Sequence, residues 1–387
     1  MFLHGDLWQQ SINRTRRRAP AAAPGAAPPV FMVADSNTIE PCTGQRFDFF
    51  TFPSISSGDV AFQGQTDRNN YRTLDGQLVC NARPGDPAPD GGTFVDLGMP
   101  LINFGTVAFW AQTTQHTGIY GRSGSKGPLM IVNNDTQIPG KGVKFSGFDT
   151  TPVAETQQYG FVGHGAGDYS GVFVASGTVV TRIADTGTPM PGGSGNFTYF
   201  ESPAISSQGI AFFGSRSVSG RATDAGIYYA GSSPLTAVAN LKTPAPDGGT
   251  FVGFGQPALA DRLAAFHAKT SQGNDGIYAV TIGSRMDTVA DLNTPVPGGV
   301  GTFKGFQSDP AAANGMVAFR AYSDIGAGLY LWNGSSLSKI IDVNDTIGGV
   351  GIVYFGFGTN DLSSGEISFY AVLKNNVMGI YRMPILE

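Results

Sequence analysis

The chain has 387 residues, with 55 Gly, 24 Pro, 41% hydrophobic side chains and a formal net charge of −5. Its glycine and proline content excludes a mainly helical protein, and the acidic balance with no basic stripe argues against nucleic acid as a partner. No run of 18 or more apolar residues occurs, so the sequence predicts no membrane span.

The first 30 residues differ in composition from everything after them. Arg14 and residues 16–18, all arginine, precede the segment APAAAPGAAPP, whose proline and alanine content is typical of a linker. The apolar residues stand before the arginines, which is the reverse of the order in a secretory signal. We predict that residues 1–30 are a disordered tail that could tether the protein.

After the tail, one pattern of about 50 residues recurs seven times. Its clearest copy, residues 286–336, reads MDTVADLNTPVPGGVGTFKGFQSDPAAANGMVAFRAYSDIGAGLYLWNGSS. The copies begin near residues 33, 78, 128, 180, 235, 286 and 337. Their most constant element is a phenylalanine after a small residue, found at Phe62, Phe109, Phe161, Phe212, Phe266, Phe319 and Phe369. Gly or Ala follows two positions later in every copy.

Each copy contains four short β-prone pieces, and such a repeat is typical of a propeller blade. An open solenoid would need polar capping repeats, whereas the first and last copies are as apolar as the others. The chain enters on the strand FMVAD (31–35) and leaves on MGIYRM (378–383), so the N-terminal strand should complete the last blade. We therefore predict an all-β fold, a single seven-bladed β-propeller of four-stranded blades over residues 31–387.

The order P-x-I-S-x-x-G-x-V-A-F, then G-I-Y, then V-A-D resembles that of TolB-like propellers. The segments SSGDVAF (56–62), NFGTVAF (103–109), SSQGIAF (206–212) and NGMVAF (314–319) resemble the NxxGxxAF tandem-repeat family. The resemblance implies that the P-x-x-S strand is innermost and the V-A-D strand outermost. It also implies a secreted or cell-surface protein, and we expect an extracellular or cell-surface location.

A second repeated column ends each V-A-D-like run with Asp or Asn, at Asp35, Asn81, Asn133, Asp185, Asn240, Asp291 and Asp342. A calcium loop would need further oxygen ligands and usually a bidentate Glu, which no copy supplies nearby. The column therefore predicts an Asx turn that leaves the outer strand. We predict no metal site and no cofactor.

Functional side chains should stand where the seven copies differ. The positions directly after the constant Phe and two residues further share the opposite face of the strand. Arg or Lys there could hold a carboxylate or sulfate while His or Tyr moves a proton. The candidates for catalysis are His164, His267, Tyr322 and Tyr370, and those for substrate binding are Lys269, Arg320, His116, Tyr169 and Trp110. The alternative is that these side chains only line the clefts between blades.

Cys42 and Cys80, the two cysteines of the chain, both fall in the first blade and could form a disulfide. Two classes of function stay open. One is a non-enzymatic recognition or scaffold propeller that binds a glycan or a protein through one rim. The other is a carbohydrate-active enzyme, a polysaccharide lyase acting on an acidic polysaccharide. The sequence shows no paired carboxylates and no catalytic triad, which favours the recognition protein.

Overall fold

The computed structural model describes residues 29–201, 203–218 and 221–385, so the predicted tail lies outside the described residues except for its last two. Every regular element in these ranges is a β-strand, and the strands are arranged in seven antiparallel sheets. The predicted seven-bladed propeller is confirmed.

Strand β1 is Phe31–Asp35. Blade 1 contains β2 Ser54–Ser56, β3 Asp59–Gly64, β4 Asn69–Leu74 and β5 Gln77–Ala82; blade 2 contains β6 Phe94–Leu97, β7 Leu101–Asn103, β8 Thr106–Thr113, β9 Thr117–Ser123 and β10 Leu129–Asn133. Blade 3 contains β11 Gly147–Phe148, β12 Val153–Glu155, β13 Gln158–His164, β14 Ser170–Ser176 and β15 Val179–Asp185; blade 4 contains β16 Tyr199–Phe200, β17 Ala204–Ser206, β18 Gly209–Val218, β19 Arg221–Ala230 and β20 Thr236–Asn240. Blade 5 contains β21 Phe251–Ala260, β22 Leu263–Thr270, β23 Asp275–Thr281 and β24 Met286–Asp291; blade 6 contains β25 Gly305–Ala313, β26 Met316–Ser323, β27 Gly326–Trp332 and β28 Leu337–Asp342. Blade 7 contains β29 Thr346–Ile347, β30 Val350–Gly356, β31 Leu362–Ser363, β32 Glu366–Leu373 and β33 Met378–Pro384.

The innermost strand of a blade is interrupted near its middle. In blades 2, 3 and 4 it forms two segments that pair with the same neighbour, and Pro100, Pro152 or Pro203 lies between them. Proline has no N–H to donate to the ladder, so the pairing breaks there. We call the face where this strand begins the upper face, and it also carries the loops between the second and third strands. The opposite, lower face carries the turns between the first and second strands.

The ring closes through the N-terminal strand, as predicted. β1 pairs with β33, so that Phe31 lies opposite Arg382 and Asp35 opposite Gly379. Ser36 N–H continues the ladder by donating to the Met378 carbonyl over 2.8 Å. The last blade therefore presents no free sheet edge at the junction.

The core lies between adjacent blades and is built largely from aromatic rings. The constant Phe of the second strand is fully buried in all seven blades. In blade 6 the Phe303 ring contacts both Phe319 and Tyr330, at centroid distances of 6.0 and 4.8 Å. The Gly or Ala two positions after the constant Phe leaves space for such rings. A Cβ at Gly163, for example, would lie 2.6 Å from a ring carbon of Phe145.

The predicted Asx turns leave the outer strands in most blades. Asp185 Oδ1 accepts from Gly187 N–H at 2.9 Å, and the Thr188 hydroxyl donates to the same oxygen at 2.9 Å. In blade 1, however, the prediction of Asn81 for this position is wrong. Arg83 occupies it, because its N–H donates to Asp86 Oδ2 at the start of the equivalent turn. The outer strand of blade 1 therefore reaches its turn at Arg83, two residues later than the predicted Asn81.

In blade 1 the connector that leads in from β1 is fastened to the sheet. The buried Glu40 carboxylate accepts from Cys42 N–H over 2.6 Å and from the Tyr71 hydroxyl over 2.8 Å. Cys42 is joined to Cys80 of β5 by a disulfide, with Cα atoms 5.0 Å apart. These hydrogen bonds and the disulfide hold the connector that follows β1 against the sheet of blade 1.

Candidate functional site

The inner strands of all seven blades surround one central channel. Its lower end is polar, and there the Asn103 amide donates to Glu155 Oε2 over 2.7 Å. Its upper end is lined by Phe52, Met99, Thr151, Gln256, Asp309 and Asn360, among other residues. Phe52 is exposed at this end, and on the upper halves of the inner strands of blades 1, 4 and 7 the exposed Phe49, Tyr199 and Tyr354 each precede a buried Phe.

The predicted positions directly after the constant Phe point into the clefts between neighbouring blades. Trp110 packs on a cluster of blade 2 and blade 3 residues. Tyr370 packs against the core of blade 1, with its ring 6.4 Å from that of Phe50. Arg320 reaches the rings of Tyr354 and Phe355 in blade 7. The structure thus distributes this column over different clefts.

The histidines proposed for catalysis each pair with a carboxylate of their own blade. His164 Nε2 lies 2.8 Å from Asp149 Oδ1 in blade 3. His267 Nε2 contacts Asp275 Oδ1 in blade 5. The two pairs stand two blades apart and do not form one catalytic pair.

The remaining substrate-binding candidates lie on the upper loops or, for Lys269, at the upper end of a strand. His116 Nδ1 is 3.2 Å from Asn134 Oδ1 in blade 2. The Tyr169 hydroxyl donates to Asp185 Oδ2 over 3.2 Å, and burial together with this carboxylate raises the pKa of Tyr169 to about 12. Lys269 is exposed near the end of β22. Of these three, Lys269 is the side chain most open to a ligand.

Predicted residues do come together between blades 6 and 7. We call this group the arginine–tyrosine cluster, and it consists of Gln307, Arg320, Tyr322, Tyr354 and Tyr370. The Arg320 guanidinium lies 5.0 Å from the ring centroids of both Tyr322 and Tyr354. The rings of Tyr354 and Tyr370 are 6.2 Å apart, and the Tyr322 hydroxyl donates to Gln307. Burial raises the pKa of Tyr370.

Sequence reasoning missed a second group beside it, on the inner strands of blades 4 to 6. This carboxylate cluster consists of Tyr199, Glu201, Gln256 and Asp309. The Tyr199 hydroxyl donates to Glu201 Oε1 over 3.4 Å, and Gln256 N–H donates to Asp309 Oδ1 over 2.8 Å. Burial raises the pKa of both carboxyls, and the negative charge of Asp309 raises that of Glu201 further.

A signal for the carboxylate cluster was present in the sequence. The residues between the inner-strand Phe and the following Pro differ from copy to copy, reading Glu-Ser in blade 4 and Gln-Ser-Asp in blade 6. Variation on the second strand alone does not reveal this cluster. The inner strand varies as well, and its upper half faces the channel. Among the described residues, no group of three or more His, Cys, Asp or Glu is arranged to hold a metal ion.

Known proteins resemble this one in fold at low sequence identity. The β-propeller domain of the Trilobed protease from Pyrococcus furiosus is 12% identical over 87% of this chain and 96% of its own, with a TM-score of 0.55. A puromycin-hydrolyzing peptidase from Mycobacterium tuberculosis is 11% identical over 86% of this chain and 50% of its own, with a TM-score of 0.52. The polysaccharide lyase Uly1 is 10% identical over 96% of this chain and 95% of its own, with a TM-score of 0.51. At these identities the likeness shows a shared propeller fold and nothing about activity.

Sequence comparison is more specific about the family. No curated protein matches the sequence. The resemblance to the NxxGxxAF repeats and to TolB-like propellers stays a prediction. Within the ranges that the structure describes, no helix is long and apolar enough to cross a membrane. A family model matches residues 27–328, and by that match the chain belongs to the family of unknown function DUF7453.

Proposed function

We propose that this protein is a recognition propeller that binds a glycan at the upper mouth of its channel. One observation carries the proposal: exposed tyrosines stand on the upper face, where Tyr199 donates to Glu201 and the Asp309 carboxylate lines the upper end of the channel. Tyr199 is 50% exposed and Tyr322 and Tyr354 are each 37% exposed. Glu201 and Asp309 lie close by without an ion-pair partner among the residues described.

A sugar ring matches both features of the mouth. Its C–H face packs on aromatic rings, and its hydroxyl groups donate to carboxylate and amide oxygens. Binding sites of this kind are concave and combine apolar walls with a few polar groups. A protein ligand would instead need about 800 Å² of contact surface on each partner, much of it flat. The narrow mouth of a channel therefore favours a glycan chain over a folded protein.

The location is part of this proposal. The disulfide between Cys42 and Cys80 supports an oxidising compartment outside the cytoplasm. Glycans of cell walls and extracellular matrices occur outside the cytoplasm. We therefore propose an extracellular or cell-surface location for the protein.

A polysaccharide lyase is the second candidate. The full-length match in fold to a polysaccharide lyase supports it, as do the two His–Asp pairs on the upper side of the ring. Against it, the pairs lie in different blades, and burial raises the pKa of Tyr370, whereas a tyrosine base needs a lowered one. Incubation with acidic polysaccharides, followed by ultraviolet absorbance, would reveal unsaturated products if the lyase candidate is correct.

Binding of glycans to the intact protein tests the main proposal. A panel of neutral and acidic polysaccharides would be titrated by calorimetry against the natural protein and the Tyr354→Ala variant. We expect a bound glycan whose affinity falls about tenfold or more in the variant, because a stacking surface is lost. Phe104→Ala is the matched control, since Phe104 is 64% exposed at the lower end of the channel. If only Phe104→Ala lowered the affinity, the glycan would bind at the lower end of the channel, and the proposal would be contradicted.

A further inference from the structure

Arg320 is a buried cation whose surroundings lack an anion. Its side chain lies on β26 and is only 3% exposed. The guanidinium is stacked between aromatic rings, 5.0 Å from Tyr322 and Tyr354 and 5.6 Å from Phe355. Aromatic faces attract a cation, but their contribution is small beside the cost of removing a full charge from water.

Neither a carboxylate nor a backbone carbonyl of the described residues completes this environment. Arg320 forms no ion pair there, and its buried Nε has no hydrogen-bond acceptor. Buried polar groups in folded proteins nearly always have partners, and an unpaired one costs free energy. A buried guanidinium in this condition can still donate hydrogen bonds to a ligand.

The same chain shows how it satisfies an arginine that only supports the fold. Arg72 is 1% exposed, and although its Nε also has no acceptor, its two terminal nitrogens donate to the backbone carbonyls of Gly105 and Gly124 in the next blade. Arg382 pairs with Glu366 and also donates to the Gly58 carbonyl. Arg320 alone of these three arginines is surrounded by rings instead of acceptors. Arg320 lies in the upper half of β26, beside the exposed Tyr322 on the face that we propose for the glycan.

We infer that Arg320 binds an anionic group carried by the glycan, a carboxylate or a sulfate. This inference rests on the proposed function and specifies its ligand class. A guanidinium can donate two parallel hydrogen bonds to either group, and the neighbouring tyrosines would stack against the sugar that carries it. The carboxylate cluster on blades 4 to 6 repels anions, so the charged group must be directed to the side of blades 6 and 7. The mouth therefore selects both the charge of the ligand and its orientation.

The test compares three glycans on the full-length protein, with polygalacturonate as the carboxylate source, dextran sulfate as the sulfate source and dextran as the neutral reference. Arg320→Gln should weaken binding of the preferred anionic glycan about tenfold or more, the effect of losing a charge-assisted hydrogen-bond pair. Binding of the neutral polymer should not change. Arg262→Gln is the matched control, because Arg262 is exposed on the lower face and donates to the Ile282 carbonyl. The anionic polymer that binds more tightly identifies the group.

The two proposals can fail separately. If no polymer binds, the glycan proposal fails, and thermal unfolding in galacturonate or sulfate still tests Arg320. Stabilisation of the natural protein that disappears in Arg320→Gln would support the anion site, and equal behaviour of both would overturn it. Arg320→Met guards against misfolding, since it keeps the packing and removes the unpaired charge. A purely structural arginine predicts a less stable Met variant with unchanged anion binding, and that result would also overturn the inference.

Discussion

Closure of the ring by β1 gives a direct test of the architecture. We expect deletion of residues 1–28 to leave stability unchanged, whereas deletion of residues 1–36 should lower it severely. The boundary is set by Val30, which packs on the core of blade 7. The longer deletion removes the whole closing strand and exposes the edge of β33.

The size of the effect follows from the contacts of β1. Four residue pairs join it to β33, and at about 1 kcal/mol for each net hydrogen bond they contribute roughly 3–4 kcal/mol. Ala34 is fully buried and Val33 packs on the same cluster, which adds about 1–2 kcal/mol of apolar burial. A total of about 5 kcal/mol is comparable to the whole stability of many folded proteins.

Urea unfolding followed by circular dichroism would compare the two truncated proteins with the natural chain. A synthetic peptide of residues 29–40 should restore part of the stability lost in the longer deletion, because it can pair with the open edge of β33. That rescue separates loss of closure from unspecific damage. Equal urea midpoints for the two truncations would refute closure through β1.

Two further predictions concern single residues. Gly163→Ala should cost about 1–3 kcal/mol of stability, because the new methyl group would lie 2.6 Å from a Phe ring, whereas Gly147→Ala meets nothing within 4 Å and is the control; similar melting temperatures would contradict this. Asp361 is completely buried, and burial raises its pKa well above the ordinary value, so its favourable contribution is present at low pH and is lost as the pH rises through the folded-state pKa. Asp361→Asn can keep the contact with Ser368 and should flatten the fall in stability as the pH rises above about 4, the ordinary pKa of an Asp; an unchanged slope would show that another group causes it.

The repeat predicted the fold because propeller cores are built from the same few positions in every blade. The constant Phe is visible in each copy, and all seven are fully buried. Asn81 shows where such reasoning fails, since its copy carries a longer run and only the hydrogen bonds place Arg83 at the turn. Aligned repeats give the spacing of residues within one copy. They do not give the register, which depends on how two strands pair.

The candidate site was less predictable because it is made between blades. Variation along the second strand pointed to Arg320 and Tyr322, but Tyr354 and Phe355, which complete the surroundings of the guanidinium, belong to the next inner strand. The number of residues between the second strand of one blade and the inner strand of the next does not show which of their side chains will be in contact. Glu201 and Asp309 stand at inner-strand positions that also vary between the copies, but the sequence does not show that these residues of blades 4 and 6 lie close together.

The distribution of charge supports the proposal that the upper mouth binds the ligand. Repeated residues satisfy one another within the core, so a position that leaves a charge unpaired has no structural advantage to maintain it. Asp309 of β25 and Arg320 of the neighbouring β26 carry charges of opposite sign, yet no ion pair joins them. If these residues served only stability, an ion pair between them would have a lower free energy than two unpaired charges. Their separation leaves each charge available to a ligand, as the proposed site for an anionic glycan requires.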